Sequence, residues 1–388
     1  TQDSVDWLGS WRHLSGDGVD NNRRPVSPSQ KGDPAAMTSS AARPAAGRPG
    51  IARPGARNLI TDVPGLKVGQ AHDAAVRTGV TVILPDARAV AACDVRGGGP
   101  GTRETDALDA HNLVEAIDAV VLSGGSVYGL AAPDGVCAWL GAQGRGYGLT
   151  ANPAVPPSPV VPAAILFDLA NGGDKAWGEA PPYRALGREA ALAAALDFEL
   201  GTAGAGYGAM AGQLKGGTGS ASAVTADGFT VGAVVAVNSF GAVTAPGGRT
   251  FWAAPFEMGD EFGGLGSAGL VGAGDDWGLA KADPQARTNT TIACVATDAV
   301  LTPAQARRVA VMAQDGLARA IRPVHAPFDG DVVFALSTGQ RPLGERPDFQ
   351  IARLGALSAD VLARAVARGV YAAAPWPDAP VRCWRDLA

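Results

Sequence analysis

The C-terminal half of the chain is organised around NTTIACVATD, residues 289–298. Its Thr, Ile and Val residues and its lack of charge before the last position are typical of a buried β-strand. Residues 245–288, which precede it, are rich in glycine and show no hydrophobic period. A segment of this length without secondary structure is unusual inside a compact domain and generally marks a functional or disordered region. We therefore predict a flexible loop that leads directly into a buried strand.

A regular alternation of elements follows this strand. Thr302 and Pro303 suit the N-cap and the first turn of a helix, which the apolar spacing extends to about Ile321. DVVFALSTG (331–339) then predicts a strand, and LGALSADVLARAVARGVYAAA (354–374) predicts a second helix. The order after residue 288 is therefore strand, helix, strand, helix.

The preceding part of the chain mixes strands and helices in the same way. TGVTVILP (78–85) and AVAACDV (89–95) predict two strands that form a hairpin around Asp86 and Ala87. Further strands are predicted within 119–125, 160–169 and 229–241, and helices within 128–140 and 185–196. This mixture predicts an α/β or α+β fold with all core elements in one domain, residues 57–388.

Composition limits the classes of function. Charged residues are 18% of the 388, and the net charge is −5, which excludes a basic nucleic-acid-binding protein. No apolar run of membrane-spanning length lacks a charge or a glycine, and no secretory signal is evident, so we expect a cytoplasmic protein without a membrane partner. Residues 1–56 are rich in Pro, Ser, Arg and Gly and predict a disordered N-terminal extension.

The cysteines and histidines are too scattered to suggest a metal centre. The four cysteines contain no C-x-x-C pair, and the four histidines do not cluster in the sequence. A disulfide framework, a zinc site or a histidine-based triad therefore finds little support. We expect neither a metal nor an organic cofactor.

Two glycine-rich motifs follow predicted strands. RGGGPGTRETD (96–106) and LSGGSVYGL (122–130) match neither the dinucleotide-binding nor the P-loop pattern. Tight turns and close packing explain such glycines, and the alternative is a surface that lines a substrate site. If the second motif lines a site, Gly124, Gly125 and Tyr128 are its candidate substrate-binding residues.

Two polar residues stand in apolar surroundings. Lys215 is the only lysine in AGAGYGAMAGQLKGGTGSAS (203–222), where burial would lower its pKa and suit it to proton transfer or to stabilising negative charge. An exposed lysine in a turn is the alternative. Asn238 ends a strand, where its amide could stabilise an oxyanion or simply hold a turn.

Thr290 and two aspartates provide a route to nucleophilic catalysis without histidine. If the chain were cut between Asn289 and Thr290, the new α-amine would lie beside the Thr290 hydroxyl and could deprotonate it at neutral pH. Asp329 and Asp331 are two residues apart at a strand entrance and would face one side. They could bind a substrate ammonium, orient a catalytic amine, bind a divalent cation or form a turn.

Taken together, these motifs resemble the P1 peptidase family, which includes L-aminopeptidase/D-amidase-esterase, β-peptidyl aminopeptidases and nylon-oligomer endo-hydrolase. The resemblance covers about residues 58–374, from NLITDVPGLKVGQAHD (58–73) to PFDGDVVFALSTG (327–339). It implies a four-layer α/β/β/α sandwich that cleaves itself into large and small chains, residues 57–289 and 290–388. It also implies oligomers of these heterodimers, with a tetramer favoured.

The resemblance assigns roles to individual residues. Thr290 resembles the nucleophile released by cleavage after Asn289, while Lys215 and Asn238 resemble the catalytic lysine and asparagine of the nylon-hydrolase branch. Asp329 and Asp331 resemble its paired aspartates. Phe167 stands at a substrate-contacting position where the family often has Tyr, so this hydroxyl is missing here.

The function implied is a self-cleaving aminopeptidase or amidase acting on peptide-like or nylon-oligomer-like amides, and the family does not fix the substrate. An acyl transferase of the ornithine-acetyltransferase type is one alternative. A non-enzymatic protein that binds a metal or a nucleotide is another, and it predicts no self-cleavage.

Overall fold

The computed structural model describes residues 50–269, 276–281 and 289–388. The strands are β1 (Leu66–Asp73), β2 (Thr78–Pro85), β3 (Val90–Val95), β4 (Thr102–Arg103), β5 (Val120–Ser123), β6 (Ala163–Ile165), β7 (Met210–Ala211), β8 (Leu214–Lys215), β9 (Gly217–Val224), β10 (Thr230–Asn238), β11 (Thr290–Ala299) and β12 (Val332–Arg341). The α-helices are α1 (Ala132–Gly141), α2 (Tyr183–Leu192), α3 (Pro303–Ala320) and α4 (Pro347–Tyr371). Within these ranges, no helix combines the length and the apolar character needed to cross a membrane.

Two five-stranded sheets lie face to face between two pairs of helices. The first sheet has the order β1-β2-β5-β6-β4 and the second the order β3-β12-β11-β10-β9. One apolar core fills the space between the sheets. A second core lies between the first sheet and α1 and α2, and a third lies between the second sheet and α3 and α4. The four layers α/β/β/α agree with the fold that the family resemblance implies.

The central strands are buried on both faces. In β11, Ile292 and Cys294 belong to the core between the sheets, whereas Ala293 and Val295 pack towards α3 and α4. All ten residues of β11 are buried, and so are all nine of β10. This double burial explains why these strands are continuously apolar rather than alternating in polarity.

The predicted hairpin between β2 and β3 is wrong. β2 pairs with β1 and β5 in the first sheet, whereas β3 pairs with β12 in the second. The chain therefore crosses from one sheet to the other between Pro85 and Val90. Both strands are apolar on both faces, so each is stable only between strand partners and under covering layers. The residues between them contain no Asn-Gly or Asp-Gly turn that would favour pairing of the two strands with each other.

Much of the predicted flexible loop 245–288 is packed. Phe251 stacks on Trp384, with ring centroids 5.3 Å apart, and meets Phe262 edge-on. Glu261 accepts hydrogen bonds from the guanidinium of Arg364, a fully buried side chain of α4. Aromatic anchors and a buried ion pair therefore fix this part without regular secondary structure. Residues 270–275 and 282–288 of the predicted loop lie outside the described residues.

The domain begins earlier than the sequence predicts, and helix α3 begins where it predicts. Residues 1–49 of the predicted N-terminal extension lie outside the described residues. Arg53 already joins the domain, because its backbone exchanges two hydrogen bonds with Val224. The domain therefore begins before the predicted boundary at residue 57. At the other end, Thr302 caps α3 as predicted, in a reciprocal capping box with Gln305.

Candidate active site

The ends of three neighbouring strands meet at one edge of the second sheet. Thr290 begins β11 and lies opposite Asn238, the last residue of the antiparallel strand β10. β12 runs parallel to β11 and begins directly after Asp331. The sheet register therefore brings together Asn238, Thr290 and Asp331, which lie far apart in the sequence.

Thr290 is buried and lines a cavity of about 360 Å³. Its hydroxyl donates a hydrogen bond to the carbonyl oxygen of Asn289, the residue that precedes it. The other residues that line the cavity are Gly99, Pro100, Gly101, Thr102, Ser126, Val127, Leu130 and Ile165. The hydroxyl thus lies beside the peptide bond that the sequence marks for cleavage and beside a space that could admit a small substrate.

Gly330 packs directly against the Thr290 side chain. A Cβ atom placed on Gly330 would lie 2.7 Å from Thr290 Oγ1 and 2.8 Å from the Gly99 carbonyl oxygen. Any side chain at residue 330 would therefore press on the hydroxyl. This packing explains the glycine between Asp329 and Asp331.

Asp331 connects the site to a histidine. Its Oδ1 accepts a hydrogen bond of 2.9 Å from the Thr291 N–H, one residue after Thr290. Its Oδ2 accepts a hydrogen bond from the His325 N–H and lies 2.8 Å from Nδ1 of the same residue. Asp331 therefore fixes the start of β11 and the orientation of the His325 ring together.

Asp329 is also buried and binds two backbone groups. Its carboxylate accepts hydrogen bonds from the N–H groups of Phe240 and Ala326. Burial, and secondarily the negative charge of Asp331, raise the pKa of Asp329 to about 7, whereas Lys281 opposes the shift. Each of the four carboxylate oxygens of Asp329 and Asp331 accepts a bond from the protein, an arrangement that serves local structure better than a cation.

Lys215 is fully buried, so the alternative of an exposed turn lysine is wrong. Its ammonium donates hydrogen bonds to the carbonyl oxygens of Gly206, Ala209 and Gly216, at 2.8–3.2 Å. Burial lowers its pKa to about 7, in the direction that the sequence predicts. These contacts make Lys215 the centre of the glycine-rich turn 204–216, which lies next to Asn238.

Asn238 joins that turn to the first sheet. Its Oδ1 accepts a hydrogen bond from the Met210 N–H, and its Nδ2 donates to the Phe167 carbonyl oxygen. The carboxamide is therefore held in one orientation at the end of β10. Phe167 contributes to this link through its backbone, and it is not among the residues that line the cavity, whereas Ile165, two residues earlier, is.

The glycine motifs divide between packing and lining. Gly124 and Gly125 lie against Asp168 and Tyr183, where a Cβ on either residue would come within 2.2 Å of those side chains. Tyr128 is 46% exposed and packs edge-on against Trp177. The structure therefore does not place these three predicted substrate-binding residues on the wall of the cavity. Their neighbours Ser126, Val127 and Leu130 line it, as do residues 99–102 of the first motif.

Sequence reasoning missed two residues near Thr290. The scatter of the histidines gives no sequence signal for His325, although it stands six residues before Asp331. Lys281 donates a hydrogen bond of 2.7 Å to Oδ1 of Asn289, and burial lowers its pKa to about 8. The chain has only five lysines, Lys31, Lys67, Lys175, Lys215 and Lys281, so each lysine in an apolar, glycine-rich stretch is a candidate, and Lys281 is one of them.

The chain was compared with known families and sequences. Residues 58–379 match the profile of peptidase family S58. A Mycobacterium tuberculosis protein named as an uncharacterized aminopeptidase is 43% identical over 347 residues, which cover 85% of this chain and 98% of the relative. The 6-aminohexanoate-oligomer endohydrolase of Kocuria sp. is 29% identical over 342 residues, 80% of this chain and 86% of that protein.

Solved structures show the same fold. The β-aminopeptidase of a Burkholderia species superposes with a TM-score of 0.61 at 24% identity, covering 88% of this chain and 92% of that one. The L-aminopeptidase D-Ala-esterase/amidase of Ochrobactrum anthropi, described as a variant of the Ntn hydrolase fold, gives 0.60 at 23% identity, with 86% and 91% covered.

Proposed function

The chain belongs to peptidase family S58 and is a hydrolase of amide bonds, and we propose that Thr290 is its nucleophile, released by self-cleavage of the Asn289–Thr290 bond. One observation carries the proposal. The Thr290 hydroxyl contacts the Asn289 carbonyl group, and Thr290 is one of the residues that line the cavity. One oxygen is therefore placed both for cleavage of its own chain and for attack on a substrate.

Self-cleavage proceeds in two steps. Thr290 Oγ1 adds to the carbonyl carbon of Asn289, the bond from that carbon to the Thr290 nitrogen breaks, and the nitrogen takes up the hydroxyl proton. The product is an ester between Asn289 and the Thr290 side chain, with a free α-amine. Water then adds to the ester carbonyl and displaces Oγ1, which leaves Asn289 with a carboxyl group and Thr290 with its hydroxyl.

Turnover uses the groups that cleavage creates. The α-amine of Thr290, with an unperturbed pKa of about 8, takes the proton of its own hydroxyl as Oγ1 attacks the substrate amide. The C–N bond of the amide then breaks and the departing amine takes up that proton, which leaves the acyl group as an ester on Oγ1. Water hydrolyses this ester, releases the acid and restores the hydroxyl. Asp331 keeps this residue in place through the Thr291 N–H. Asn238 lies opposite Thr290 and is the side chain we assign to the developing oxyanion, and Lys215 holds the turn that orients it.

We further propose that the substrates are peptide-like amides with a compact acyl group, which an aminopeptidase or amidase would accept. The cavity wall combines the apolar side chains of Pro100, Val127, Leu130 and Ile165 with a comparable polar surface, to which Thr102 and Ser126 contribute. Parallel assays with amino-acid p-nitroanilides and with 6-aminohexanoate oligomers would separate the two substrate classes found among the relatives.

The proposal is tested by mass and sequence of the purified protein. We expect two pieces, the smaller one beginning T-T-I-A-C and comprising residues 290–388. Thr290→Ala should keep the fold but abolish both cleavage and hydrolysis, whereas Thr290→Ser should retain part of each because it keeps the hydroxyl. A Thr290→Ala protein that still cleaves would show that another atom attacks.

A further inference from the structure

The residue before the predicted cut, Asn289, is bound by a lysine eight residues earlier in the same predicted large chain. Lys281 Nζ donates a hydrogen bond of 2.7 Å to Asn289 Oδ1. The Asn289 side chain is buried, and its Nδ2 has no hydrogen-bond partner among the described residues. The contact with Lys281 is therefore what fixes the orientation of this side chain in the described part of the chain.

Lys281 is anchored independently of the bond that is cut. Its backbone N–H donates a hydrogen bond of 3.0 Å to the Phe240 carbonyl oxygen. The two residues before Lys281 are also held, because Gln213 donates hydrogen bonds of 2.8 Å to the carbonyl oxygens of Leu279 and Ala280. The three bonds attach residues 279–281 to the end of β10 and to the turn before Lys215, so the ammonium approaches Asn289 from a fixed base.

A nearby negative charge favours the charged form of Lys281, which donates the hydrogen bond to Asn289. The carboxylate of Asp329 attracts the Lys281 ammonium and opposes the effect of burial on its pKa. Phe240 links the two, because its N–H donates to Asp329 and its carbonyl oxygen accepts from Lys281. Lys281, Phe240 and Asp329 thus form one cluster beside the scissile peptide, with Asn289 as its point of contact.

We propose that Lys281 is a positioning residue for self-cleavage and acts through the side chain of Asn289. The inference rests on the proposed function, since it assumes attack by Thr290. Fixing the Asn289 side chain limits rotation of the peptide plane that carries the attacked carbonyl. The Thr290 hydroxyl then meets that carbonyl in one orientation rather than in many, which is the advantage that positioning gives to an intramolecular reaction.

A double-mutant cycle tests this coupling. Full-length Lys281→Met, Asn289→Ala and the double variant are produced with the wild-type chain, and the half-time of cleavage is followed by intact mass. Each single change should slow cleavage by about tenfold or more, as expected for the loss of a hydrogen bond to a charged group. The double variant should be no slower than Asn289→Ala alone, because Lys281 has no other route to the bond.

Two further variants serve as controls. Asn289→Asp keeps an oxygen acceptor for Lys281 and should cleave faster than Asn289→Ala. Lys67→Met removes an exposed lysine that pairs with Asp86 on the surface, and it should cleave at the wild-type rate. The unfolding temperature of each precursor is compared on a Thr290→Ala background, where cleavage does not interfere.

The outcomes separate the inference from the proposed function. Cleavage of Lys281→Met at the wild-type rate would overturn the role of Lys281, as would slowing that multiplies in the double variant or an Asn289→Asp rate equal to that of Asn289→Ala. A wild-type chain that does not cleave at Asn289–Thr290, or a Thr290→Ala chain that does, would instead overturn the proposed function.

Discussion

Replacing Gly330 with alanine tests whether the Thr290 hydroxyl reacts from the position described. The new Cβ would lie 2.7 Å from Thr290 Oγ1, whereas ordinary contacts of a Cβ begin near 3.4 Å. The pair must therefore separate by about 0.7 Å. Movement towards Gly99 gives little relief, because its carbonyl oxygen is 2.8 Å from the same Cβ and its N–H is bonded to Asp329. The hydroxyl must take up most of the shift.

The expected effect follows from that displacement. A misplacement of about 1 Å can cost about 10²-fold in rate, so a shift of about 0.7 Å should slow both self-cleavage and turnover by between about tenfold and about 10²-fold. Cleavage is followed by intact mass over time, and turnover is measured per cleaved chain. Gly148→Ala is the matched control, because a Cβ there meets no atom within 4 Å.

Two results would refute this reasoning. If Gly330→Ala cleaves at the rate of Gly148→Ala, the added methyl does not reach the attacking atom. If Gly330→Ala loses as much rate as expected but also unfolds at a much lower temperature than the control, the effect lies in the packing of the 325–331 turn rather than in the hydroxyl.

Two predictions concern the buried charges. Lys215→Met should lower the free energy of unfolding by about 3 kcal/mol or more, because three buried carbonyl groups lose their hydrogen-bond donor. Lys215→Arg should not restore the stability, since the planar guanidinium is larger. Urea unfolding of the cleavage-deficient chain measures this difference, and a change below about 0.5 kcal/mol would contradict the prediction. The native carboxyl of Asp329 keeps its proton up to about pH 7, whereas the unfolded one loses it near pH ~4. The native state therefore binds more protons in that window, and the free energy of unfolding should fall as the pH rises through it. Asp329→Asn should flatten this dependence of stability on pH, and an unchanged dependence would show that other groups cause it.

The elements that could be predicted from sequence are those that local chemistry decides. The Thr302 cap and the apolar stripe predict α3, and the apolar run of β11 predicts a buried strand; the structure has both. β9 was missed because GTGSASAV contains few residues that favour strands, and its glycines serve close contact with α4, where Gly219 lies against the backbone of Ala365. The pairing of β3 could not be predicted because it depends on β12, more than 230 residues away in the sequence.

The candidate site divides in the same way. Lys215 and Asn238 stand out as polar residues in apolar surroundings, whereas Thr290 and the two aspartates are singled out by their positions at strand entrances, and the family resemblance assigns a role to each. The partners of these residues depend on the folded chain. Nothing in the sequence places Lys281 beside Asn289, because the contact requires residues 279–281 to be bonded to Gln213 and Phe240, which are distant in the sequence. The sequence also does not show which members of a glycine motif line the cavity: Gly124 and Gly125 pack against Asp168 and Tyr183, whereas Ser126 and Val127 line it.

The position of the predicted cut explains how one bond could be broken without loss of the site. β11 would belong to the small chain and β10 to the large chain, yet the two strands pair without interruption from Val231 and Thr297 to Asn238 and Thr290. Helix α4 of the small chain also packs on β9 and β10 through a shared apolar core. Separation of the chains would expose that core to water, which opposes dissociation. The new amine of Thr290 would therefore stay opposite Asn238 and next to the Thr291 N–H that Asp331 binds, so that cleavage adds a base to a framework that is already in place.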